Sequence, residues 1–318
     1  MKRKRALQKE KADNAKKKNA VPGNKEVPAE EETGRKANAA AVSEKEAVVA
    51  KPFRIGFDAI GGIAIIDSKI SHPESAAKYI MDTHKNIVTV LGKGGPVEGK
   101  YRKRKYTYIT GKRSYTTIHK ENGCSFMLDV RKVYFSPRLA YERKRIVDLS
   151  KDGEKVVVMF SGIGPFAIEI AKKNRNSEVV GIEMNSEGHK YAVMNRELNK
   201  AWNFFPVLGD AGSPPRKYLG FADRILMPLP MDSERFLEAA FRIAGKRCVM
   251  HYYAFVEDGG KEALKKLKLL SVKKSRKFKL LGKREVRPYS ADISEIVINF
   301  QIAKTNAAKE RVGKHSEK

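Results

Sequence analysis

The chain has 318 residues, and its 65 lysines and arginines outnumber its 37 aspartates and glutamates, which gives a formal net charge of +28. This charge argues against an enzyme of neutral small metabolites and favours a polyanionic partner, above all a nucleic acid. The two cysteines, Cys124 and Cys248, form neither a metal-binding cluster nor a disulfide framework, which is typical of a reducing cytosol. No apolar run reaches the roughly 18–20 residues of a membrane span, and the N-terminus lacks the apolar core of a secretory signal. We therefore expect a cytoplasmic protein without a membrane segment.

Residues 1–50 are rich in lysine, alanine, glutamate and asparagine and contain no aromatic residue. This composition predicts a disordered basic arm. The arm is either a tether for nucleic acid or a solubilising extension, and its composition does not decide between the two. A basic tail is predicted at 304–318.

Residues 51–135 are predicted to form a small α+β domain that binds RNA. Its expected elements are a strand or hairpin at 57–66, a helix at 73–86, and strands at 87–91, 106–109, 115–119 and 126–130. Eight lysines or arginines and no acid occur in residues 99–120, interleaved with Tyr101, Tyr106, Tyr108 and Tyr115. Such cations neutralise phosphates, and such rings stack on unpaired bases. The alternative is that the tyrosines belong to the core and the cations face only solvent.

Residues 136–303 alternate between strand and helix patterns. The strands are expected at 155–160, 178–183, 205–209, 222–227, 246–252, 276–284 and 294–301, and the helices at 137–149, 164–174, 186–199, 232–243 and 258–272. This alternation predicts an α/β fold with a doubly wound, largely parallel sheet. Seven strands that end in an antiparallel hairpin are the layout of class I (Rossmann-like) methyltransferases. The basic stretch from Lys261 to Arg287 is either an RNA contact or the cationic face of an amphipathic helix.

A glycine turn and an acid indicate a nucleotide-sized pocket in this sheet. Residues 158–168 read as a strand, a turn and a helix start, and Gly162 and Gly164 let the backbone approach a ligand closely. Glu183 ends the next predicted strand, where a carboxylate can accept both hydroxyls of a ribose. Because the third glycine of the dinucleotide pattern is replaced by Ala167, the turn leaves little room for a pyrophosphate. S-adenosylmethionine (AdoMet) therefore fits better than NAD.

A longer set of motifs carries a resemblance to a known family. Glu121-Asn122-Gly123 and the run from Asp129 to Arg143, which includes Tyr-Phe-Ser-Pro-Arg-Leu, are much more specific than the glycine turn. They resemble the archaeal-eukaryal tRNA (guanine-37 N1)-methyltransferase family and its paralogue, the aminocarboxypropyltransferase of the wybutosine pathway. The similarity covers about residues 53–302. Further matching elements are Phe57–Gly61, Val97–Arg102, Phe160–Phe166 and Asp223–Met227.

The resemblance implies an activity and a set of site residues. It implies methylation of N1 of guanosine 37, which lies in the anticodon loop of tRNA. Flipping this base out costs less free energy than extruding a paired base. N1 must lose a proton, so Glu142 is implied as the general base and Arg102 as the cation near O6. Tyr134 and Pro137 are implied to line the pocket. The implied AdoMet-binding residues are Phe160, Gly162, Gly164, Pro165, Glu183, Asn185, Asp210 and Pro228. We expect a monomer that uses no metal.

Three alternatives stay open. Glu142 could be a surface ion pair with Arg145 or Lys103 rather than a base. Two positions depart from the family pattern, because Val158 replaces an acid and Pro228 replaces an asparagine. These departures keep open transfer of the aminocarboxypropyl group of AdoMet, or methylation of a wyosine intermediate. A non-catalytic RNA-binding protein with a decayed cofactor site is the remaining reading.

Overall fold

A computed structural model describes residues 55–95, Gly99 and residues 104–305. Several sequence predictions lie outside these residues: the basic arm at 1–50, Tyr101, Arg102, the alternative partner Lys103, and the tail beyond Thr305.

The first part of the described chain is a four-stranded sheet with one helix. The strands pair in the order β1-β2-β3-β4, with β2 and β3 parallel and the other pairs antiparallel. The elements are β1 (Phe57–Ile60), β2 (Ile63–Ile66), α1 (Pro73–Thr83), β3 (Thr89–Lys93) and β4 (Tyr106–Gly111). The helix crosses over between the two parallel strands, which is the connection that a parallel pair requires. The predicted α+β character of this region is confirmed.

Strand β2 shows how this sheet is buried on both faces. Successive strand side chains point to opposite faces. Ala64 and Ile66 pack with α1, whereas Ile63 and Ile65 enter a larger core on the other side, and all four are buried. An unbroken apolar run with no polar alternation is the sequence signal of such a strand.

A two-stranded hairpin follows, with β5 (Thr116–Glu121) and β6 (Cys124–Asp129) joined by Asn122-Gly123. Both turn residues have positive φ, +46° and +74°, which is the geometry that an Asn-Gly hairpin turn supplies at low cost. Phe126 and Leu128 are fully buried in the same core as Ile63 of β2 and Val156 in the second half of the chain. The hairpin therefore packs against both parts of the chain, and the predicted boundary at 135/136 stays a prediction.

The second half is a seven-stranded sheet in the order β12-β13-β11-β10-β7-β8-β9. Its strands are β7 (Lys155–Met159), β8 (Glu178–Glu183), β9 (Phe204–Leu208), β10 (Ala222–Met227), β11 (Ala244–Val256), β12 (Arg276–Pro288) and β13 (Ser294–Lys304). Its helices are α2 (Ala140–Leu149), α3 (Pro165–Lys173), α4 (Ser186–Leu198), α5 (Leu237–Ile243) and α6 (Lys261–Lys273). Strands β7 to β11 pair in parallel, and β13 lies antiparallel between β11 and β12. The predicted doubly wound sheet with a terminal hairpin is confirmed.

The central strand β7 divides the two cores of this sheet. Val156 and Val158 face the core shared with α3 and the hairpin, and Val157 and Met159 face the core under α5 and β11. All four are buried, as a strand covered by helices on both faces requires. In the described part of the chain, no helix combines the length and the apolar character that crossing a membrane demands.

Candidate cofactor and substrate site

The turn after β7 has the backbone that the glycine pattern predicts. Gly162 has φ of +57° and Gly164 has φ of +88°, and Gly164 is the N-terminal cap of α3. Phe160 also has φ of +57°, although it is not a glycine. A bulky residue in this region costs on the order of 1–3 kcal/mol and persists where the surroundings enforce it, often at functional sites. Pro165 follows the cap, a position where its missing N–H is not needed.

Two glycines of the neighbouring elements keep this turn close to the sheet. A Cβ added to Gly181 would lie 2.7 Å from Cε2 of Phe204 and 2.8 Å from Oγ of Ser161. A Cβ on Gly164 would lie 3.0 Å from Cε1 of the same Phe204 ring. Gly164 thus serves the packing of the turn, and it does not line the cavity described below.

Glu183, the last residue of β8, ties the turn to the next strand. Its Oε2 accepts a hydrogen bond from the Gly162 N–H at 2.7 Å, and its Oε1 accepts one from the Asn185 N–H at 2.7 Å. Burial raises the pKa of this carboxyl above its usual value, against the opposing effect of these backbone donors. A carboxylate has about four acceptor sites, and three backbone donors, those of Gly162, Met184 and Asn185, act on this one, so the group can still accept a hydroxyl proton.

Asn185 and Asp210 are also positioned by hydrogen bonds to the backbone. The Asn185 side chain caps α4 by accepting from the Glu187 N–H, and it donates to the Lys132 carbonyl at 3.0 Å. Asp210 follows β9 and accepts from the Gly212 N–H at 2.8 Å. Both side chains are therefore held at the ends of neighbouring parallel strands, β8 and β9.

A cavity of about 540 Å³ opens at the carboxyl ends of β7, β8, β9 and β10. Ligands of open α/β sheets bind in this place. The sequence-predicted residues that line it are Tyr134, Phe160, Gly162, Pro165, Glu183, Asn185, Asp210 and Pro228. The structure therefore brings eight of the predicted site residues together. Asp232, Arg235 and Phe236 line it too, and no motif of fixed spacing indicates them. Arg143, the last residue of the motif run 129–143, also lines it, although the resemblance implied no role for it.

Glu142, the implied general base, does not line the cavity. It lies in the first turn of α2, where Leu139 and Arg143 take the cavity side. Adjacent residues differ by roughly 100° around a helix, so Glu142 turns toward the sheet. There it is 3 % exposed, and Tyr253 donates its hydroxyl proton to Oε1 at 2.6 Å.

Two guanidinium groups complete the surroundings of Glu142. Arg145 donates from Nη2 to Oε1 at 2.7 Å and from Nε to Oε2 at 2.8 Å. Arg284 on the edge strand β12 reaches Oε2 at 3.4 Å, and its guanidinium lies 5.6 Å from the ring of Tyr141, which is 72 % exposed. Glu142 therefore does form an ion pair with Arg145, as the alternative reading expected, but this pair is buried rather than on the surface.

The tyrosines of the basic segment are partly packed. Tyr106, Tyr108 and Tyr115 are half-buried against the larger core. The guanidinium of Arg131 lies 3.8 Å from the ring centroid of Tyr115, so one face of that ring is already covered. The three rings therefore belong in part to the core, as the alternative expected, and the contact of this segment with RNA stays a prediction.

The basic stretch that begins at Lys261 forms an amphipathic helix. Helix α6 buries Leu267 and packs Leu264 and Leu270 against the core, with Lys265 and Lys268 on its exposed face. Among the described residues, no group of three or more histidines, cysteines, aspartates or glutamates could hold a metal ion.

Four features together define a class I methyltransferase fold with its cofactor cleft. They are the order of the strands, the glycine turn after β7, the acid at the end of β8, and the cavity. Comparison with known proteins gives the family. Residues 117–281 match the model of the TRM5/TYW2 methyltransferase domain. Trm5b, a tRNA (guanine(37)-N(1))-methyltransferase of Pyrococcus abyssi, is 40% identical over 253 residues, covering 78% of this chain and 74% of the relative. The chain belongs to the TRM5/TYW2 methyltransferase family.

Paralogues and solved structures agree with this assignment. Taw21, a tRNA 4-demethylwyosine(37)-methyltransferase of Saccharolobus solfataricus, is 36% identical over 62% of this chain and 77% of its own length. The crystal structure of Pyrococcus abyssi Trm5b superposes with a TM-score of 0.72 at 37% identity, covering 90% of this chain and 87% of that one. A complex of aTrm5 with tRNALeu gives 0.68 at 29% identity, covering 78% and 72%. TYW2 of M. jannaschii in complex with AdoMet gives 0.62 at 27%, covering 79% and 100%.

Proposed function

We propose that this protein transfers the methyl group of AdoMet to N1 of guanosine 37 in the anticodon loop of tRNA. The observation that carries the proposal is the cavity at the strand ends, where the Gly162 turn and Glu183 meet Tyr134 and Pro228. The family supports it, because Trm5b relatives are named for this reaction and one relative is known in complex with tRNA. The high positive charge fits a tRNA substrate.

The residues of the cavity fit AdoMet. Glu183 can accept the ribose hydroxyls, Asp210 and the loop behind it lie where the adenine is expected, and the Gly162 turn lets the ligand approach the backbone. Val158 stands where relatives have an acid and is 1 % exposed within the core, so this chain must hold the amino group of the methionine moiety by other polar groups. AdoMet supplies an electrophilic methyl group when bound.

Glu142 remains the proposed base, and the surroundings of its carboxylate define what must move. On Oε1 both lone pairs are used by Tyr253 and Arg145 at normal hydrogen-bond lengths. On Oε2 the contact with Arg284 is long, at 3.4 Å. Displacement of Arg284 by the substrate would free one lone pair of Oε2 to receive the N1 proton. Arg102 is proposed to hold the charge that develops on O6.

The small sheet and the hairpin are proposed to contact the tRNA. Arg104 and Lys105 precede β4, Lys112 and Arg113 follow it, and none of them has an ion pair among the described residues. Unpaired cations release counterions when they meet phosphates, so they contribute affinity that falls as salt is added.

A second candidate is transfer of the aminocarboxypropyl group, or methylation of a wyosine intermediate. A relative named as an aminocarboxypropyltransferase is 30% identical to this chain, and one named as a 4-demethylwyosine methyltransferase is 36% identical. Pro228 favours this candidate, because it lines the cavity in the place of a family asparagine and offers no side-chain hydrogen bond to guanine.

Two labels separate these reactions. The enzyme is incubated with a tRNA transcript that carries an unmodified G37 and with AdoMet labelled either in the methyl group or in the carboxyl group. We expect the methyl label alone in the RNA, and none in a matched transcript with A37. A second RNA carries 4-demethylwyosine at position 37, the base for which the wybutosine-pathway relatives are named. Carboxyl label in that RNA would indicate aminocarboxypropyl transfer, and methyl label in that RNA but not in the G37 transcript would indicate methylation of a wyosine intermediate. Absence of AdoMet binding by calorimetry at about millimolar ligand would favour a non-catalytic RNA-binding protein, since a functional site binds well below that level.

A further inference from the structure

A group of buried ionisable side chains lies between the small sheet and the cavity, and the proposed chemistry does not use it. Its members come from three elements: His119 and Glu121 on β5, Arg143 on α2, and Glu169 on α3. The side chains of Arg143, Glu121 and Glu169 are 3%, 5% and 2% exposed. Buried charges are costly unless they are paired, so such a cluster is expected to hold its partners in place.

Arg143 connects this cluster to the cavity wall. Its Nη2 donates to Oε2 of Glu121 at 2.7 Å and to the carbonyl of Ser136 at 3.0 Å, and its guanidinium lies 5.0 Å from the ring of Phe135. Phe135, Ser136 and Arg143 all line the cavity. One planar guanidinium therefore fixes the backbone and a ring of the same wall segment, a geometry that a lysine cannot reproduce.

The opposite end of the cluster reaches the small sheet. The N–H of Gly61, in the turn between β1 and β2, donates to Nδ1 of His119 at 3.1 Å. Because Nδ1 accepts this bond, the proton of the neutral ring lies on Nε2, which is 3.4 Å from Oε2 of Glu121. A continuous chain of contacts thus runs from the β1–β2 turn through His119 and Glu121 to Arg143.

Glu169 sets the charge balance of the cluster. It accepts from the amide of Asn122 at 2.9 Å, and its Oε1 is 3.7 Å from Nε of Arg143. Burial, together with the neighbouring Glu121, raises the pKa of Glu169 to about 8. Burial also acts to raise the pKa of Glu121, but the hydrogen bonds of His119 and Arg143 outweigh it and the net pKa is lowered. At neutral pH, Arg143 therefore faces one carboxylate and one neutral carboxyl group.

Resting on the proposed function, we propose that Arg143 is a positioning residue for AdoMet binding, which holds the Phe135–Ser136 wall of the cavity through its buried pair with Glu121. Ionisation of Glu169 places two buried carboxylates against one guanidinium, and the wall then loses its fixed geometry. The groups that face Glu169 are Glu121 of β5, Asn122 of the turn, Cys124 of β6 and Arg143 of α2. Beyond them lie His119, which pairs with Glu121, and Lys172 of α3, which donates to the Gly123 carbonyl. Burial raises the pKa of Cys124 to about 11, so this thiol stays neutral where Glu169 ionises.

The test measures AdoMet affinity by calorimetry at about pH 7 and about pH 9, on either side of the Glu169 ionisation. The variants are Arg143→Lys and Glu169→Gln, the second of which imitates the neutral carboxyl group. Lys144→Gln is the matched control, because Lys144 is an exposed neighbour on the same helix whose ion pair with Asp148 lies at the surface. Thermal melting of each variant shows whether it is folded.

We expect Arg143→Lys to weaken AdoMet about tenfold at neutral pH, the size of one hydrogen bond to a charged group. Lys144→Gln should bind like the parent. The parent should lose affinity from pH 7 to pH 9, and Glu169→Gln should lose markedly less. A folded Arg143→Lys with unchanged affinity overturns the proposal. If Arg143→Lys does not fold, identical pH profiles of the parent and Glu169→Gln overturn it instead. A parent that fails to bind AdoMet would refute the proposed function itself.

Discussion

Asn195 links the hairpin to the glycine turn, and its removal gives the largest stability effect that we predict. The residue lies on α4, and its side chain is fully buried. Its Oδ1 accepts from the Met127 N–H at 2.7 Å, and its Nδ2 donates to the carbonyls of Met127 and Ile163, each at 3.1 Å. The amide thus extends the hydrogen bonding of β6 as a neighbouring strand would, and it holds the turn that shapes the cavity.

Asn195→Ala leaves the N–H and the carbonyl of the partly buried Met127, and the buried carbonyl of Ile163, without this partner. Each unsatisfied group costs about 1–3 kcal/mol, and the lower end applies to the two partly buried groups, so we expect a loss of about 3–5 kcal/mol in the free energy of unfolding. This is a large share of the roughly 5–15 kcal/mol that a domain has. The matched control is Asn176→Ala, because Asn176 is exposed and its amide donates only to Asp152 at the surface.

Urea denaturation followed by circular dichroism measures both variants, with the slope checked for two-state behaviour. Asn176→Ala should lose less than about 1 kcal/mol. If Asn195→Ala loses no more than this control, the amide does not stabilise the hairpin, and the reasoning is refuted.

Three further predictions concern the binding of AdoMet, the packing of the glycine turn, and the proposed base. Glu183→Gln should weaken the binding of AdoMet about 10–100-fold, because an amide accepts fewer hydrogen bonds than a carboxylate. Because burial raises the pKa of Glu183, the AdoMet affinity of the parent should also begin to fall on acidification at a higher pH than for an ordinary glutamate. Calorimetry against pH in both proteins tests this. Gly181→Ala should cost about 1–3 kcal/mol of stability, since its Cβ would lie 2.7 Å from a Phe204 ring carbon; an unchanged melting temperature would contradict this packing. Glu142→Gln should keep AdoMet affinity and lose at least about a hundredfold in methyl transfer; a folded variant with full turnover would limit Glu142 to its structural pair with Arg145.

Much of the fold could be predicted from the sequence because its signals are local. The alternation of apolar runs and helical spacing gave all seven strands of the large sheet within a few residues of their observed bounds. The glycine turn and Glu183 met as expected, because the carboxyl ends of adjacent parallel strands lie side by side. These features depend on residues that are close in the chain or fixed by a regular sheet.

The orientation of side chains between distant elements could not be predicted. Glu142 contacts Tyr253, which lies 111 positions further along the chain. No pattern within α2 indicates that the Glu142 side chain points to the sheet rather than to the cavity. The same holds for Arg143, whose partners Glu121 and Glu169 lie on two other elements. Such pairs are determined by how the elements pack, which sequence periodicity does not encode.

Nucleoside mass spectrometry of a tRNA transcript with an unmodified G37, after incubation with this enzyme and AdoMet, tests the central claim most directly. We predict a single new nucleoside, N1-methylguanosine, located at position 37 by digestion, and its loss when Glu183→Gln is assayed at a low concentration of AdoMet. The absence of any new nucleoside at position 37, or a methyl group on another atom or another nucleotide, would contradict the account.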